Sequence, residues 1–210
     1  MLNISNYIKK YPGQQEPVLA ISSLKLQKGI YWIKGENGAG KTSLFKSIAG
    51  LITFEGDITV NDLHIRKQRM EYSKQVNYAE AEPLYPPFLS GKDLIDFYLD
   101  IKEGDFPKAI FDGFGVAKFM KQKTATYSSG MMKKLSLVLA FTGRPTLILL
   151  DEPLIALDTA AVQILEQYIL QSSKTGVSFL ITSHQPLAAR LMEGTTTLLL
   201  KNKTLLTASL

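Results

Sequence analysis

The sequence contains no cysteine and no apolar run long enough to cross a bilayer. The absence of cysteine excludes disulfides, thiolate zinc sites and a cysteine nucleophile, and it agrees with a reducing cytoplasm. No segment approaches the roughly 18 to 20 apolar residues that a membrane-spanning helix needs. The opening residues, MLNISNYIKKYPGQQ, also lack the apolar core of a secretory signal. We therefore expect a cytoplasmic protein with no spanning helix of its own.

A strong charge of one sign is lacking as well. The chain of 210 residues has 24 basic and 19 acidic side chains, which gives a net charge of +5. The basic residues are scattered, so we interpret most of them as solvated surface, with a slight bias toward anionic ligands or a membrane-proximal face. No internal repeat or low-complexity segment is found. We expect one globular domain and no nucleic-acid partner.

Apolar periodicity predicts strands that alternate with helices. Residues 147–150 are typical of a strand buried on both faces, as in a parallel sheet. The alternation favours an α/β fold with a mainly parallel sheet. Residues 83–143 interrupt it with helical material, which predicts an inserted helical subdomain. The predicted strands are 24–26, 30–34, 58–60, 147–150 and 177–182. The predicted helices are 41–51, 91–101, 159–172 and one that carries Leu135, Leu139 and Thr142. A hairpin is predicted around residues 201–203.

Three glycines and a lysine lie in GENGAGKTS, residues 35–43, between a predicted strand and a predicted helix. The spacing Gly35-x-x-x-x-Gly40-Lys41-Thr42 is the phosphate-binding loop pattern in the context that it requires. Glycines let successive N–H groups turn toward phosphate oxygens, and the helix dipole favours the same anion. We predict that Lys41 contacts the β- and γ-phosphates and that the Thr42 hydroxyl ligates Mg²⁺. The alternative is a glycine-rich turn that matches by accident.

Two acidic residues end the apolar strand in LILLDEP, residues 147–153. Open α/β sheets bind ligands at the carboxyl ends of their strands, so both carboxylates lie where a ligand is expected. Asp151 is predicted to hold Mg²⁺, and Glu152 to polarise an attacking water as general base. The alternative is a strand that simply ends in solvated acids.

With these residues in place, the sequence resembles the ATP-binding subunits of ABC transporters over almost its whole length. GENGAGKTS is close to the family's phosphate loop, and YSSGMMKKL (127–135) lies at the place of the LSGGQ signature. It is similar to the YSxGM variant common in ATPases of simple exporters. PLIALD (153–158) matches the family's D-loop, and FLITSH (179–184) ends at the position of its switch histidine.

The resemblance implies a single nucleotide-binding domain over residues 1–210. Its phosphate-loop NTPase core, about 1–81 and 144–210, would have N-terminal antiparallel β elements, and the helical subdomain would be about 82–143. The implied ligands are ATP and Mg²⁺. The predicted nucleotide-binding residues are Tyr11, Gly35, Glu36, Asn37, Gly38, Ala39, Gly40, Lys41, Thr42, Ser43, Ser128, Gly130 and Asp158. The predicted catalytic residues are Glu152, His184 and Lys41. Thr42 and Asp151 are predicted to hold the metal.

The family assigns distinct roles to these positions. His184 would position the γ-phosphate and the attacking water, whereas the other histidine, His64, is expected to be a surface residue. Tyr11 would stack on adenine, although an ordinary surface tyrosine is the alternative and Tyr7 is nearby. Ser128 and Gly130 would complete the ATP site of a partner subunit, with Asp158 at the dimer interface.

Two departures from the family pattern matter. Ser129 and Met131 replace the usual glycine and glutamine of the signature, while Ser128 and Gly130 are retained. The segment NYAEAEP (77–83) lies where the family has its Q-loop, yet it contains no glutamine. Alignment puts Ala81 at that position, between Glu80 and Glu82, which leaves the replacement of the glutamine undecided.

The expected function is hydrolysis of MgATP by a homodimer, or by a pair with another ABC subunit. Hydrolysis would drive transport, with export favoured by the signature variant, through a separate transmembrane permease at the inner face of the membrane. The groove near 82–100 would dock that permease, although core packing explains its apolar residues equally well; they are Leu84, Tyr85, Pro86 and Phe88. The alternatives are a soluble ABC-type ATPase for assembly of a complex and an ATP-clamping module with little turnover. The cargo and the permease are not specified.

Overall fold

Two β-sheets organise the fold in the computed structural model, which describes residues 1–207. An antiparallel sheet has the order β2-β1-β4-β5, and a six-stranded sheet has the order β10-β9-β3-β8-β7-β6. The strands are β1 (Leu2–Lys9), β2 (Leu19–Leu26), β3 (Ile30–Lys34), β4 (Glu55–Val60), β5 (Leu63–His64), β6 (Val76–Ala79), β7 (Leu147–Asp151), β8 (Ser178–Thr182), β9 (Thr195–Lys201) and β10 (Thr204–Thr207).

Seven helices connect or cover these strands within residues 1–207. Strands β6 to β9 run parallel to one another and to β3, so the connections between them must cross over the sheet, as helices usually do. The helices are α1 (Lys41–Ile48), α2 (Arg69–Gln75), α3 (Gly91–Lys102), α4 (Lys108–Gly113), α5 (Ser129–Ala140), α6 (Thr159–Lys174) and α7 (Ala189–Met192).

Apolar side chains on the two faces of the six-stranded sheet belong to two separate clusters. On β7, Ile148 and Leu150 join the cluster that contains α5 and α6. The intervening Leu147 and Leu149 join a second cluster with α1 and the antiparallel sheet. Because a strand alternates its side chains between faces, the run Leu147–Asp151 is apolar on both sides and buried throughout. Helix α1 therefore packs between the sheets.

The predicted fold class is confirmed: an α/β fold with a mainly parallel sheet, an antiparallel N-terminal sheet and helices α3 to α5 between β6 and β7. The predicted hairpin is the β9–β10 connection. The predicted helix 41–51 is shorter and ends at Ile48. Thr142 lies beyond the end of α5, contrary to the prediction that it shares a helix with Leu135 and Leu139. The domain boundaries stay predictions.

Over residues 1–207, no helix has the length and apolarity that crossing a membrane requires.

Candidate nucleotide-binding site

The glycine-rich loop connects β3 to α1 and takes a conformation that its glycines make available. Gly38 and Gly40 have φ values of 77° and 102°, in the left-handed region that side chains disfavour. A Cβ on Gly40 would also lie 2.9 Å from Leu19 Cγ. Gly40 precedes α1 and supplies no side-chain cap. The first amides of α1 are therefore left for another acceptor, which is the arrangement that binds phosphate.

Lys41 lies across this loop. Its Nζ donates to the carbonyl oxygens of Gly35 at 2.8 Å and of Glu36 at 3.1 Å. The Ala39 N–H donates to the Glu36 carbonyl at 3.2 Å and closes the turn that includes Asn37. The ammonium thus lies against backbone oxygens that a bound phosphate could replace as its partners.

The Asp151 carboxylate is buried and accepts three hydroxyl hydrogen bonds. Thr42 Oγ1 donates to Oδ2 at 2.7 Å, Thr182 Oγ1 donates to Oδ1 at 2.6 Å, and the Tyr78 hydroxyl donates to Oδ2 at 3.2 Å. Burial, and secondly the charge of Asp151, raise the pKa of Tyr78, so the phenol keeps its proton and remains a donor. The carboxylate is fixed by the fold.

Thr42 and Asp151, the predicted metal ligands, suit Mg²⁺. Within residues 1–207 there is no cluster of three or more histidine, cysteine, aspartate or glutamate side chains that could hold a metal. Mg²⁺ in nucleotide sites does not need such a cluster, because one or two protein oxygens, the phosphates and water complete its shell. The hydroxyl and carboxylate oxygens are already 2.7 Å apart.

Glu152 has an unusual backbone and an unsatisfied carboxylate oxygen. Its φ is +45°, in the left-handed region, and its N–H donates to Thr182 Oγ1 at 3.0 Å. Oε2 accepts the His184 N–H at 3.1 Å. Oε1 is buried without a hydrogen-bond partner in the described chain, and His184 Nε2 is 3.4 Å from it, an ion-pair distance without hydrogen-bond geometry. This oxygen is available to accept a proton.

A cavity of about 350 Å³ brings these side chains together. It is lined by Tyr11, Gln14, Val18, Asn37, Gly38, Ala39, Gly40, Lys41, Thr42, Ser43, Asp151, Glu152 and His184. The Tyr11 hydroxyl shares a hydrogen bond of 3.0 Å with Ser43 Oγ, and Lys9 Nζ lies 4.3 Å from its ring centroid. Tyr7 is fully buried and bonds Ser47 Oγ at 2.8 Å. Tyr11 is therefore the tyrosine beside the loop, while adenine stacking stays a prediction.

The signature residues Ser128 and Gly130 are not among the residues that line this cavity. Ser128 caps α5 by accepting the Met131 N–H at 3.2 Å. A Cβ on Gly130 would lie 2.9 Å from the Ala156 carbonyl oxygen. Packing within the chain therefore already requires glycine at this position, whatever a partner's nucleotide requires.

Asp158 also takes part in contacts away from the cavity. It caps α6 by accepting the Ala161 N–H at 2.8 Å, and its Oδ2 is 2.7 Å from Lys134 Nζ. The hydrogen bond from Lys134 holds the pKa of Asp158 below its usual range. The D-loop residue is thus tied to the signature helix.

Several residues with clear contacts were missed by sequence reasoning. Thr182 and Tyr78 hold Asp151 from the two neighbouring strands. Lys133 is 1% exposed, and its Nζ donates to backbone carbonyl oxygens at the ends of β6 and β7. A signal for Thr182 was available, since it is the last strand residue before Ser183-His184. His64, which was expected to be a surface residue, is partly exposed, and its Nε2 lies 2.8 Å from Asp57 Oδ1.

Trp32 lies behind the loop. The indole Nε1 donates to the Ser183 carbonyl at 3.3 Å, beside His184, and Lys34 Nζ is 3.8 Å from the ring centroid. Trp32 is 7% exposed and is the only tryptophan in the chain.

A second groove, about 340 Å³, lies between α3 and the ends of α1 and β6. Apolar side chains at its rim are strongly exposed: Leu84 by 90% and Phe97 by 59%. Phe88 is 68% exposed but is not among the residues that line this groove, whereas Tyr85 lines it and packs against the cluster containing α5. Core packing therefore explains Tyr85 but not Leu84 or Phe88. Glu80, beside Ala81, lines the groove and pairs with Lys46 at 3.4 Å.

Comparisons with known proteins agree with this geometry. A family model described as ABC transporter matches residues 19–155. The Bacillus subtilis protein YybJ, named an uncharacterized ABC transporter ATP-binding protein, is 32% identical over 190 residues, covering 88% of this chain and 84% of YybJ. Rat phospholipid-transporting ATPase ABCA3 is 29% identical over 86% of this chain but only 11% of its own length. The Bacillus subtilis linearmycin resistance ATP-binding protein LnrL is 28% identical over 88% of this chain and 61% of its own length.

Solved structures share the fold at lower identity. A structure titled as an ATP binding subunit of an ABC transporter has a TM-score of 0.87 and 22% identity, covering 99% of this chain and 90% of that one. A dimeric ATP-binding cassette in a post-hydrolysis state with ADP and Pi has a TM-score of 0.82 and 19% identity, covering 99% and 98%. The chain therefore shares the fold of these ATP-binding cassettes.

Proposed function

The chain belongs to the ABC transporter family as an ATP-binding cassette, and we propose that two copies bind and hydrolyse two MgATP molecules at their interface. The observation that carries the proposal is the convergence of Lys41, Thr42, Asp151, Glu152 and His184 on one cavity. The fold alone would not carry it, since phosphate-loop proteins perform many reactions.

Each residue of the cavity has a chemical task in this proposal. Lys41 exchanges the Gly35 and Glu36 carbonyls for β- and γ-phosphate oxygens, and the first amides of α1 bind the same group. Thr42 and Asp151 would hold Mg²⁺, which neutralises phosphate charge when bound. Glu152 Oε1 accepts the proton of the attacking water, which enters in line with the leaving ADP. His184 orients that water and the γ-phosphate.

The second copy supplies what one chain lacks in its own cavity. Ser128 and Gly130 stand at the start of α5, where the helix dipole favours an anion, yet neither lines the cavity that contains Lys41. We infer that they contact the γ-phosphate bound by the partner, so ATP closes the dimer and hydrolysis reopens it. Asp158 lies at the same interface and links the two sites.

A separate transmembrane permease is the proposed partner. Leu84 and Phe97 line the groove and are strongly exposed, which suits a helix on the cytoplasmic side of such a subunit. Two relatives are named for phospholipid transport and for linearmycin resistance. Those names and the YSSGM signature favour export of a substrate from the cell, with the cassette at the inner face of the membrane.

Substitution of Glu152 by glutamine tests the catalytic proposal. Glutamine keeps the size of the side chain but cannot accept the proton, so we expect ATP turnover to fall at least about 100-fold. The variant is expected to elute as a dimer with ATP and as a monomer with ADP in size-exclusion chromatography. Glu71→Gln, on the exposed side of α2, is the control and should turn over normally. A Glu152→Gln protein that stays monomeric with ATP would contradict the proposal.

The substitutions Leu84→Asp and Phe97→Asp, at two exposed apolar residues of the groove, test the permease proposal. The probe is the six-helix membrane protein, if one is encoded beside this gene, co-expressed and solubilised in detergent. We expect both variants to lose co-purification while ATP turnover in the isolated cassette is retained, because neither side chain lines the cavity. Absence of such a neighbouring gene, with a soluble complex recovered instead, would favour the assembly-factor alternative. Normal co-purification of both variants would exclude this groove as the docking site.

A further inference from the structure

Lys133 lies in α5, on the turn after the signature, with its side chain inside the protein. It is 1% exposed, and its Nζ donates to the carbonyl oxygens of Glu80 at 2.8 Å, Ala81 at 3.1 Å and Asp151 at 3.1 Å. A lysine ammonium has three donors and no acceptor, so every donor is matched by one backbone oxygen. No carboxylate is bonded to it among these contacts.

The three carbonyls come from two strands at the point where they separate. Strand β6 pairs with β7 up to Ala79 and Leu150, and Glu80 and Ala81 then leave the sheet. One ammonium therefore joins the two segments that follow the last paired residues of β6 and β7. Each end leads directly to a functional position: Asp151 precedes Glu152, and Ala81 occupies the place of the family's Q-loop glutamine.

Burying a lysine this way is costly, which argues for a specific use. Removing an ammonium from water costs several kcal/mol unless its hydrogen bonds compensate. Burial lowers the pKa of Lys133 to about 8, against the opposing effect of the charges on Asp151, Glu152 and Glu82. An apolar residue of similar length would fill the same space without that cost.

We propose that Lys133 is a positioning residue that fixes the Asp151–Glu152 peptide and the Ala81 segment to the signature helix. The inference rests on the proposed ATPase function. Its ammonium connects the Q-loop segment to the catalytic strand by binding backbone oxygens of both. The side chain of Ala81 is too short to make such a connection. Because Ser128 caps the same helix, closure on the partner's nucleotide reaches Glu152 through one rigid element.

Lys102 provides a matched control. It lies at the end of α3, its burial also lowers its pKa to about 8, and its Nζ donates to the backbone carbonyls of Ser73 and Val76. It thus joins α3 to the neighbouring α2 and β6 without touching Asp151 or the 80–81 segment. A general loss of a buried ammonium would affect both lysines alike, whereas a positioning role is specific to Lys133.

The test compares Lys133→Met, Lys133→Gln and Lys102→Met with the wild type in two measurements. In steady-state ATPase assays, we expect Lys133→Met to lower kcat at least about tenfold with KM changed less than about twofold, because misplacing a catalytic group by 1 Å costs roughly 100-fold. Lys133→Gln, which keeps an amide donor, should recover part of kcat. Lys102→Met should keep kcat.

Hydrogen exchange of the nucleotide-free proteins gives the readout that does not depend on turnover. We expect faster exchange in Lys133→Met at the amides of residues 80–82, 84, 152, 154 and 155, since Pro83 and Pro153 have no amide hydrogen. In Lys102→Met we expect it at amides 73–79. If Lys133→Met does not fold, Lys133→Gln carries both measurements. Unchanged kcat and unchanged exchange at 80–84 would overturn the proposal, as would equal losses of kcat in both methionine variants. A wild type without ATPase activity would instead contradict the proposed function and leave the exchange result to decide on Lys133.

Discussion

The phosphate-loop cavity and the signature surface differ in how their polar groups are satisfied. Asp151 is buried and accepts hydroxyl hydrogen bonds from three other elements of the fold. Ser128 and Asp158, in contrast, are exposed, and each caps the helix that follows it. Asp158 also pairs with Lys134 from another helix. The first region is set by tertiary packing before any ligand arrives. The second is a shaped surface that acquires its chemistry only against another molecule.

The largest expected effect comes from removing the centre of the buried region. Asp151→Ala leaves the buried hydroxyl of Thr182 and the half-buried hydroxyl of Tyr78 without their acceptor, whereas the exposed Thr42 can turn to water; unsatisfied buried donors cost about 1–3 kcal/mol each. We expect the free energy of unfolding in urea to fall by about 2–4 kcal/mol, and ATP turnover to disappear. Asp158→Ala should be clearly less destabilising. Equal destabilisation by the two variants would break the comparison between a packed site and a surface.

Gly130→Ala tests whether packing within the chain constrains the signature segment at this glycine. The added methyl group would meet the Ala156 carbonyl oxygen at 2.9 Å, and overpacking typically costs about 1–3 kcal/mol. We expect the monomer to lose stability in that range in urea without nucleotide. Gly194→Ala, whose added Cβ meets nothing within 4 Å, is the control. Full monomer stability in Gly130→Ala would mean that its glycine serves only the partner.

Two serine caps separate the structural role of Ser128 from its proposed role in the dimer. Ser128 and Ser90 each accept an amide hydrogen bond at the start of a 12-residue helix. Replacing either by alanine should lower the free energy of unfolding by about 1 kcal/mol. Only Ser128→Ala should also weaken ATP-dependent dimerisation in the Glu152→Gln background, measured by size-exclusion chromatography. Equal dimerisation by both variants would show that Ser128 only caps its helix and has no role in the dimer.

The smallest expected effect concerns Asp158 and Lys134. The hydrogen bond from Lys134 lowers the pKa of Asp158 in the folded chain. The pair therefore stabilises the fold at pH values above the usual pKa of a carboxyl group. That contribution is lost as pH falls through the lowered pKa. Lys134→Ala should raise the pKa of Asp158, measured by NMR titration of its carboxyl group, with little change in unfolding because the pair is solvent-screened. An unchanged titration would show that the pair is absent in solution.

Local patterns were sufficient to predict the phosphate loop and the acidic strand end. Both consist of consecutive residues whose chemistry is fixed by strand, turn and helix, so Lys41, Thr42 and Asp151 could be chosen without knowing the sheet order. Thr182 and Tyr78 could not be chosen in that way, because their contacts depend on which strands flank β7. Lys133 was missed because nothing in its helical position distinguishes a buried lysine from a solvated one.

The first strand illustrates a different obstacle. In β1 the buried residues Leu2 and Ile4 alternate, but the register then shifts between Ser5 and Ile8, and Asn6 has a φ of 49°. The shift brings Tyr7 inward, which breaks the period-two pattern that would identify a strand. Two further elements, α2 and β6, are too short for periodicity to identify. The contact between His64 and Asp57 could not be predicted either, because the two residues become neighbours only when β4 pairs with β5.

The position of Trp32 makes the protein its own optical probe. A single indole, bonded to the backbone beside the switch histidine and covered by Lys34, would dominate the fluorescence excited at long ultraviolet wavelengths. Its emission reports selectively on the backbone next to His184. Occupancy and closure can therefore be followed in the unmodified chain by titrating nucleotide, with no dye attached to the surfaces under study.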